Sequence, residues 1–220
     1  MRKSILVLGM LSLTFYGCSH LGNTAGRYAC DDQGFTPLFN GTDLSGWTGD
    51  KVGYRVEDGI IVADPLGNLY TNEVYDDFVL RFEFKLTPGA NNGIGIRVPM
   101  HGHASSQGME IQILDNPADK FAGIKPYQRH GSVYGVAAAA PGYLRPTGEW
   151  NEQEIRIEGA QVRVTLNGTV ILETDLTPYR EGRSTPDGKE HPGLQRKKGH
   201  ISLAGHKTKL YFRNMCIKPL

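Results

Sequence analysis

Asp77-Phe-Val-Leu-Arg-Phe-Glu-Phe-Lys-Leu86 alternates without a break, with Phe78, Leu80, Phe82 and Phe84 on one face and Val79, Arg81, Glu83 and Lys85 on the other. Successive side chains of an extended strand point to opposite sides, so this stretch predicts a β-strand with one face in a core and the other largely wet. The pattern recurs outward in both directions. Tyr54–Glu57 and Ile60–Ala63 flank Asp58-Gly59, while Gln161–Leu166 and Thr169–Thr174 flank Asn167-Gly168; both dipeptides are two-residue hairpin signals that need positive φ. Leu69–Thr71, Gly93–Val98, Gly108–Asp115, His130–Gly135, Glu154–Glu158, Gly199–Ala204 and Lys209–Lys218 complete the strand-like segments. Roughly a dozen short strands without long helical periodicity predict an all-β fold, a jelly-roll sandwich of two antiparallel sheets. The 28 Gly and 12 Pro suit the tight turns such a fold needs.

The ends of the chain have a different character. Arg2 and Lys3 precede an apolar run from Ile5 to Tyr16 that closes on Gly17-Cys18. This is the layout of a secretory signal, and a small residue before Cys is similar to a bacterial lipoprotein cleavage site. The expectation is a leader over 1–17, lipidation of Cys18, a polar tether over 18–33 and one domain over 34–220. Phe15 and Tyr16 are bulkier than that motif usually has, which keeps an ordinary signal peptide or a short anchor as the alternative. Such a chain would be lipid-anchored in the bacterial cell envelope, touching membrane through its lipid alone. Ser19–Asn23 carries no acidic run, which favours the periplasmic side of the outer membrane. A net charge of +1, with Arg196–Lys198 the one basic cluster, gives no reason to expect a nucleic-acid partner. With Cys18 assigned to lipid, Cys30 and Cys216 remain as a pair that either bridges the two ends of the domain or stays as two free thiols. Trp47 is a core plug or a sugar-stacking platform.

Gly108-Met-Glu-Ile-Gln-Ile-Leu-Asp115 carries the chemistry. Met109, Ile111 and Ile113 point into the core, which turns Glu110 and Gln112 outward together. Gly93–Val98 alternates in the same way, with Ile94, Ile96 and Val98 inward, so Gly93, Gly95 and Arg97 share the other face. If the two strands are neighbours, an acid, an amide and a guanidinium surround a glycine-lined groove where a ligand can approach the backbone. Three chemistries fit these residues. Glu110-x-Gln112-x-x-Asp115 is similar to the Glu-x-Asp-x-x-Glu strand of sandwich-type retaining glycosidases, whose carboxylates stand about 5–5.5 Å apart. That requires a bulge between Glu110 and Asp115, which otherwise face opposite ways; the competing role for Asp115 is to cap a turn. A divalent metal ion is the second, with His103, Glu110 and His200 as candidate ligands and His130 in reserve.

The third chemistry comes from a resemblance. Pro37–Gly41 with Leu44–Trp47, Asp77–Phe84, Asn92–Arg97, Glu110–Asp115, Gly131–Gly135, Gly148–Asn151, Leu166–Gly168, Gly199–His206 and Phe212–Asn214 occur in the order found in the 3-keto-disaccharide hydrolase domain family (DUF1080), which the chain resembles from Phe35 to Leu220. The resemblance implies a concanavalin A-like jelly roll of the lectin and glucanase type, secreted or lipid-anchored, with a carbohydrate substrate. A ketone at C3 of a sugar acidifies the C2 proton, so one base, a group to hold the enolate and an acid for the leaving oxygen suffice. Glu110 is the candidate base or acid, Arg97 the enolate partner and His103 a proton-transfer group. Gln112, Asp115, His130, Tyr134 and His200 are candidate sugar contacts. The rival is a non-catalytic carbohydrate-binding module, since one sandwich fold serves lectins and enzymes alike.

Overall fold

The computed structural model describes residue 30 and residues 33–64 and 67–220; the leader, the Cys18 lipidation site and nearly all of the 18–33 tether lie outside the described residues. The strands begin with β1 (Thr36–Pro37), β2 (Trp47–Gly49), β3 (Tyr54–Glu57), β4 (Ile60–Ala63) and β5 (Leu69–Thr71). The centre of the chain forms β6 (Phe78–Leu86), β7 (Asn91–Val98) and β8 (Met109–Leu114). The remainder are β9 (Trp150–Glu158), β10 (Gln161–Leu166), β11 (Thr169–Asp175), β12 (His200–Ala204) and β13 (Leu210–Pro219). Two one-turn helices, α1 (Ala104–Gln107) and α2 (Thr177–Arg180), sit in the connections. One sheet runs β11-β10-β9-β6-β13-β4-β3 with β1 added against β13, and the other runs β2-β5-β12-β7-β8. All pairings between these strands are antiparallel, which is the jelly-roll sandwich that the alternation predicts.

The core lies between the sheets. Phe78, Leu80, Phe82 and Phe84 of β6 have no exposed surface, and they share one apolar cluster with Ile94, Ile96, Ile111, Ile113 and Leu203 of the opposite sheet. Each such side chain contributes about 2–3 kcal/mol on burial. Trp47 belongs to this cluster, so it is the core plug and not a sugar platform. The outer face of β6 is drier than its polarity predicts. Glu83 is buried because Arg213 Nε and Asn214 Nδ2 donate to its carboxylate, and Val79 packs with Phe35 and Cys216. Both hairpin dipeptides adopt the left-handed backbone their sequence demands, with φ of 49° and 76° at Asp58-Gly59 and 51° and 85° at Asn167-Gly168. Cys30 and Cys216 form a disulfide with their Cα atoms 5.3 Å apart, tying the segment before β1 to β13.

Two expectations fail for local reasons. His130–Gly135 is not a strand: Val133 makes single bridges to Ile111 and Ala137, and Gly131 and Gly135, at φ of 79° and 78°, turn the chain on either side of it. More consequential is β7. Between β12 and β7 the register runs His200 with Val98 but Ser202 with Gly95, so two residues of β7 face Ile201 alone. That bulge is built on Arg97 at φ 54°. The extra residue reverses the alternation, turning Val98 onto the face of Gly95 and Arg97 away from it.

Candidate functional site

Glu110 sits on β8, at the edge of the smaller sheet, between Met109 and Ile111, which both enter the core. It pairs with Gly95, and Gln112 pairs with Gly93, while Ser202 and Ala204 of β12 oppose the same two glycines from the other side. Residues directly opposite in a ladder share a face. Glu110, Gln112, Ser202 and Ala204 therefore converge over a floor of Gly93 and Gly95. The floor has to be glycine, because a Cβ on Gly93 would collide with Glu110 Oε1 and one on Gly95 with Ser202 Oγ. Tyr70, Val98, Ala104 and Ala204 form a small apolar cluster beside this polar group.

The polar atoms of the groove are short of partners. Glu110 is 4% exposed, and its Oε1 has no hydrogen-bond partner among the described residues. Ser202 is fully buried and its Oγ is likewise unpartnered. Leaving such groups unpaired costs about 1–3 kcal/mol each, more for a charge, so Glu110 and Ser202 together present unused hydrogen-bonding capacity to the same groove. His206, in the connection after β12, brings Nε2 to 3.6 Å from Glu110 Oε1. Its side chain is 37% exposed, so it links the buried carboxylate to solvent.

Other candidates are brought to the groove or removed from it. Gln112 faces it, with Nε2 donating to Asn91 Oδ1 at 2.8 Å. Tyr134 flanks β8, its amide donating to the Glu110 carbonyl at 2.9 Å. Arg97 does not share the groove with Glu110, which corrects the enolate role drawn from simple alternation. Its guanidinium, 1% exposed, ion-pairs with Asp77 at 2.7 Å and donates to the carbonyls of Asp76, Gly159 and Arg196. Asp115 is a turn clamp, not a second acid or a sugar contact: Oδ2 accepts from the Gly89 amide and Oδ1 from the Thr147 hydroxyl. The β7–β8 register is unbroken from Met109 to Leu114, so the bulge that a paired-carboxylate mechanism requires is missing. His130 is a core residue and not a sugar contact. It is 2% exposed, stacks on Phe84 at 5.1 Å and accepts from the Leu114 amide through Nδ1, and burial pushes its pKa down to about 4. His200 Nδ1 donates to the carbonyl of Thr71 at 2.8 Å, with the Glu73 carbonyl at 3.2 Å, which occupies it at the end of β5.

With this geometry in hand, comparison with protein families matches residues 34–218 to the 3-keto-alpha-glucoside-1,2-lyase-like domain. The chain belongs to this family. A 3-keto-disaccharide hydrolase of Bacteroides thetaiotaomicron is 24% identical, over an alignment that covers 86% of this chain and 80% of that protein. Two crystal structures of candidate glycosyl hydrolases from Parabacteroides distasonis ATCC 8503 are also similar. The first is 29% identical, covers 84% of this chain and 99% of the other, and superposes with a TM-score of 0.76. The second is 26% identical, covers 85% and 94%, and has a TM-score of 0.73. These relatives set the 3-keto-alpha-glucoside-1,2-lyase-like chain among glycoside-hydrolase-like proteins.

The residues of this lyase-like domain do not form the metal site considered above. His103 lies just before α1 with Nδ1 3.1 Å from Ser105 Oγ, His200 is bound to β5, and Glu110 faces His206. Among the described residues no three His, Cys, Asp or Glu side chains are grouped to hold an ion. His206 and Ser202 are the groove residues that alternation does not single out. Both lie within Gly199–His206, one of the stretches that carry the family resemblance.

Proposed function

We propose that this protein cleaves the glycosidic bond of 3-keto-glycosides, 3-keto-disaccharides among them, by elimination followed by hydration. The observation that carries the reading is the buried Glu110 carboxylate, unpartnered at Oε1, set over Gly93 and reached by His206. Glu110 removes the C2 proton that the C3 ketone has made acidic, and the electron pair passes to the C3 oxygen as an enolate. Ser202 Oγ, with a hydroxyl proton uncommitted, donates to that oxygen. The enolate collapses to a C1–C2 double bond and expels the leaving oxygen from C1, which takes a proton from His206. Water then adds at C1 and gives up a proton to His206, which restores it, while Glu110 returns the proton to C2. One acid/base carboxylate is enough for this sequence, in keeping with an Asp115 that is fully committed elsewhere. The family match and the Bacteroides relative support the substrate class.

The test is turnover of matched ordinary and 3-keto disaccharides by the wild-type protein and Glu110→Gln. Cleavage of the keto substrate alone, lost in Glu110→Gln with binding retained, is expected. Unchanged turnover in Glu110→Gln removes Glu110 from the mechanism, and binding without turnover in the wild type identifies a carbohydrate-binding module instead. We further propose that Cys18 anchors the domain by lipid in the cell envelope, on the periplasmic side of the outer membrane. Cys18→Ala is then expected to move the protein from the membrane fraction to the soluble fraction, and continued membrane retention would count against the anchor.

A further inference from the structure

A second cleft, about 260 Å³ in volume, opens between α1, Tyr134 and the 187–191 segment. Its position relative to Glu110 follows from two contacts. Glu110 pairs through β7 with Gly95, whose missing Cβ would touch Ala104, the first residue of α1. On the other side the Glu110 carbonyl accepts from the amide of Tyr134. Both walls of the cleft are thus tied to the strand pair that carries the proposed base, α1 through Gly95 of β7 and Tyr134 through the backbone of β8.

The cleft is built and held. His191 Nε2 lies 3.1 Å from both carboxylate oxygens of Asp187, and its Nδ1 lies 3.1 Å from the carbonyl of Ser105 in α1. Both side chains are almost wholly buried, at 6% and 7% exposure. Gly135 makes room for this pair: it has φ 78°, and a Cβ there would collide with the Asp187 carboxylate. The Asp187 amide also donates to the Gly135 carbonyl at 3.2 Å. The His191–Asp187 contact therefore fastens the 187–191 segment to α1 and to the Tyr134–Gly135 turn, and leaves His103, Ser106, Tyr134, Lys189 and Glu190 to line the open part. Tyr134 Oη accepts from Gln128 Nε2 at 3.1 Å, which frees its own proton for a ligand. Hydroxyl, imidazole, ammonium and carboxylate groups in so small a volume suit a ring bearing many hydroxyls, and the cleft falls below the size of drug-sized pockets.

We propose that this cleft is the leaving-group subsite, holding the sugar attached at C1 while the 3-keto ring occupies the glycine-floored groove. The inference rests on the glycoside-cleavage reading above and adds which residues select the leaving group. Lys189 and Glu190 contact its hydroxyls, and Tyr134 donates to it.

The experiment compares a 3-keto disaccharide whose leaving group is glucose with the methyl 3-keto-glucoside, whose leaving group fills no subsite. Lys189→Ala and Tyr134→Phe are each expected to lower kcat/KM for the disaccharide by roughly tenfold, the loss of one or two good hydrogen bonds, and to leave the methyl glycoside within about twofold. Equal losses on both substrates, or no loss on either, overturn the subsite. A second arm follows binding of free D-glucose by ligand-observed NMR to the wild type, Glu110→Gln and Lys189→Ala. Binding that survives Glu110→Gln and is lost in Lys189→Ala supports the subsite even if no keto substrate is turned over, an outcome that would defeat the catalytic reading alone. Glucose binding that is absent in the wild type, or unaffected in Lys189→Ala, overturns it.

Discussion

Glu110 shows how much of a site two missing side chains can make. Its carboxylate lies where a side chain on Gly93 would be, so the groove depends on glycine for space and not for backbone freedom. Gly93→Ala therefore pushes aside the end of a flexible side chain and not the backbone. The expected outcome is a fall in kcat/KM on the order of 100-fold, typical of a displaced catalytic group, with little change in melting temperature. Steady-state kinetics and thermal unfolding of the same preparation check both halves, and full activity in Gly93→Ala would show that the carboxylate position is not critical. Alternation alone makes Glu110, Gln112, Gly93 and Gly95 legible as one face. His206 is not legible that way, because it lies in a loop and reaches Glu110 only through the return of β12 beside β7.

At the scale of the element, the decisive feature is the bulge in β7. One residue at positive φ moves Arg97 from the groove to a buried position where it joins Asp76 and Asp77 before β6, the Gly159 turn between β9 and β10, and the segment at Arg196. Removing one partner of such a network strands the others. Arg97→Met is expected to lose about 3 kcal/mol in chemical denaturation, and Arg97→Lys to restore little of it, because an ammonium cannot reproduce the guanidinium fork. Turnover per folded molecule should stay near the wild-type value in both. A loss of kcat with stability intact would instead restore a catalytic role to Arg97. The bulge is invisible in the sequence because Ile-Arg-Val continues the alternation and carries no glycine to mark it.

For the whole molecule, the packing of the two sheets sets the response to acid. His130 is stacked on Phe84 between them, and burial lowers its pKa from 6.5 to about 4, with Gln153 only partly offsetting the effect. Between those two values the unfolded chain takes up a proton that the folded one refuses, so stability falls as pH drops through this window. The loss approaches about 3 kcal/mol by pH 4. Denaturant unfolding at several pH values from 7 to 4 is expected to show this slope in the wild type and not in His130→Phe; a slope that persists in the variant assigns it to other groups. The all-β class, the two hairpin turns at Asp58-Gly59 and Asn167-Gly168, the core face of β6 and the side of β8 that carries Glu110 can be read along the chain, because alternation and turn chemistry are properties of neighbouring residues. That Arg97 and His130 are buried supports, that Asp115 clamps a turn, and that Ser202 and His206 join Glu110 follows from the assembled sheets. Those outcomes depend on which strands lie side by side and in what register, and that is set by contacts between distant parts of the chain.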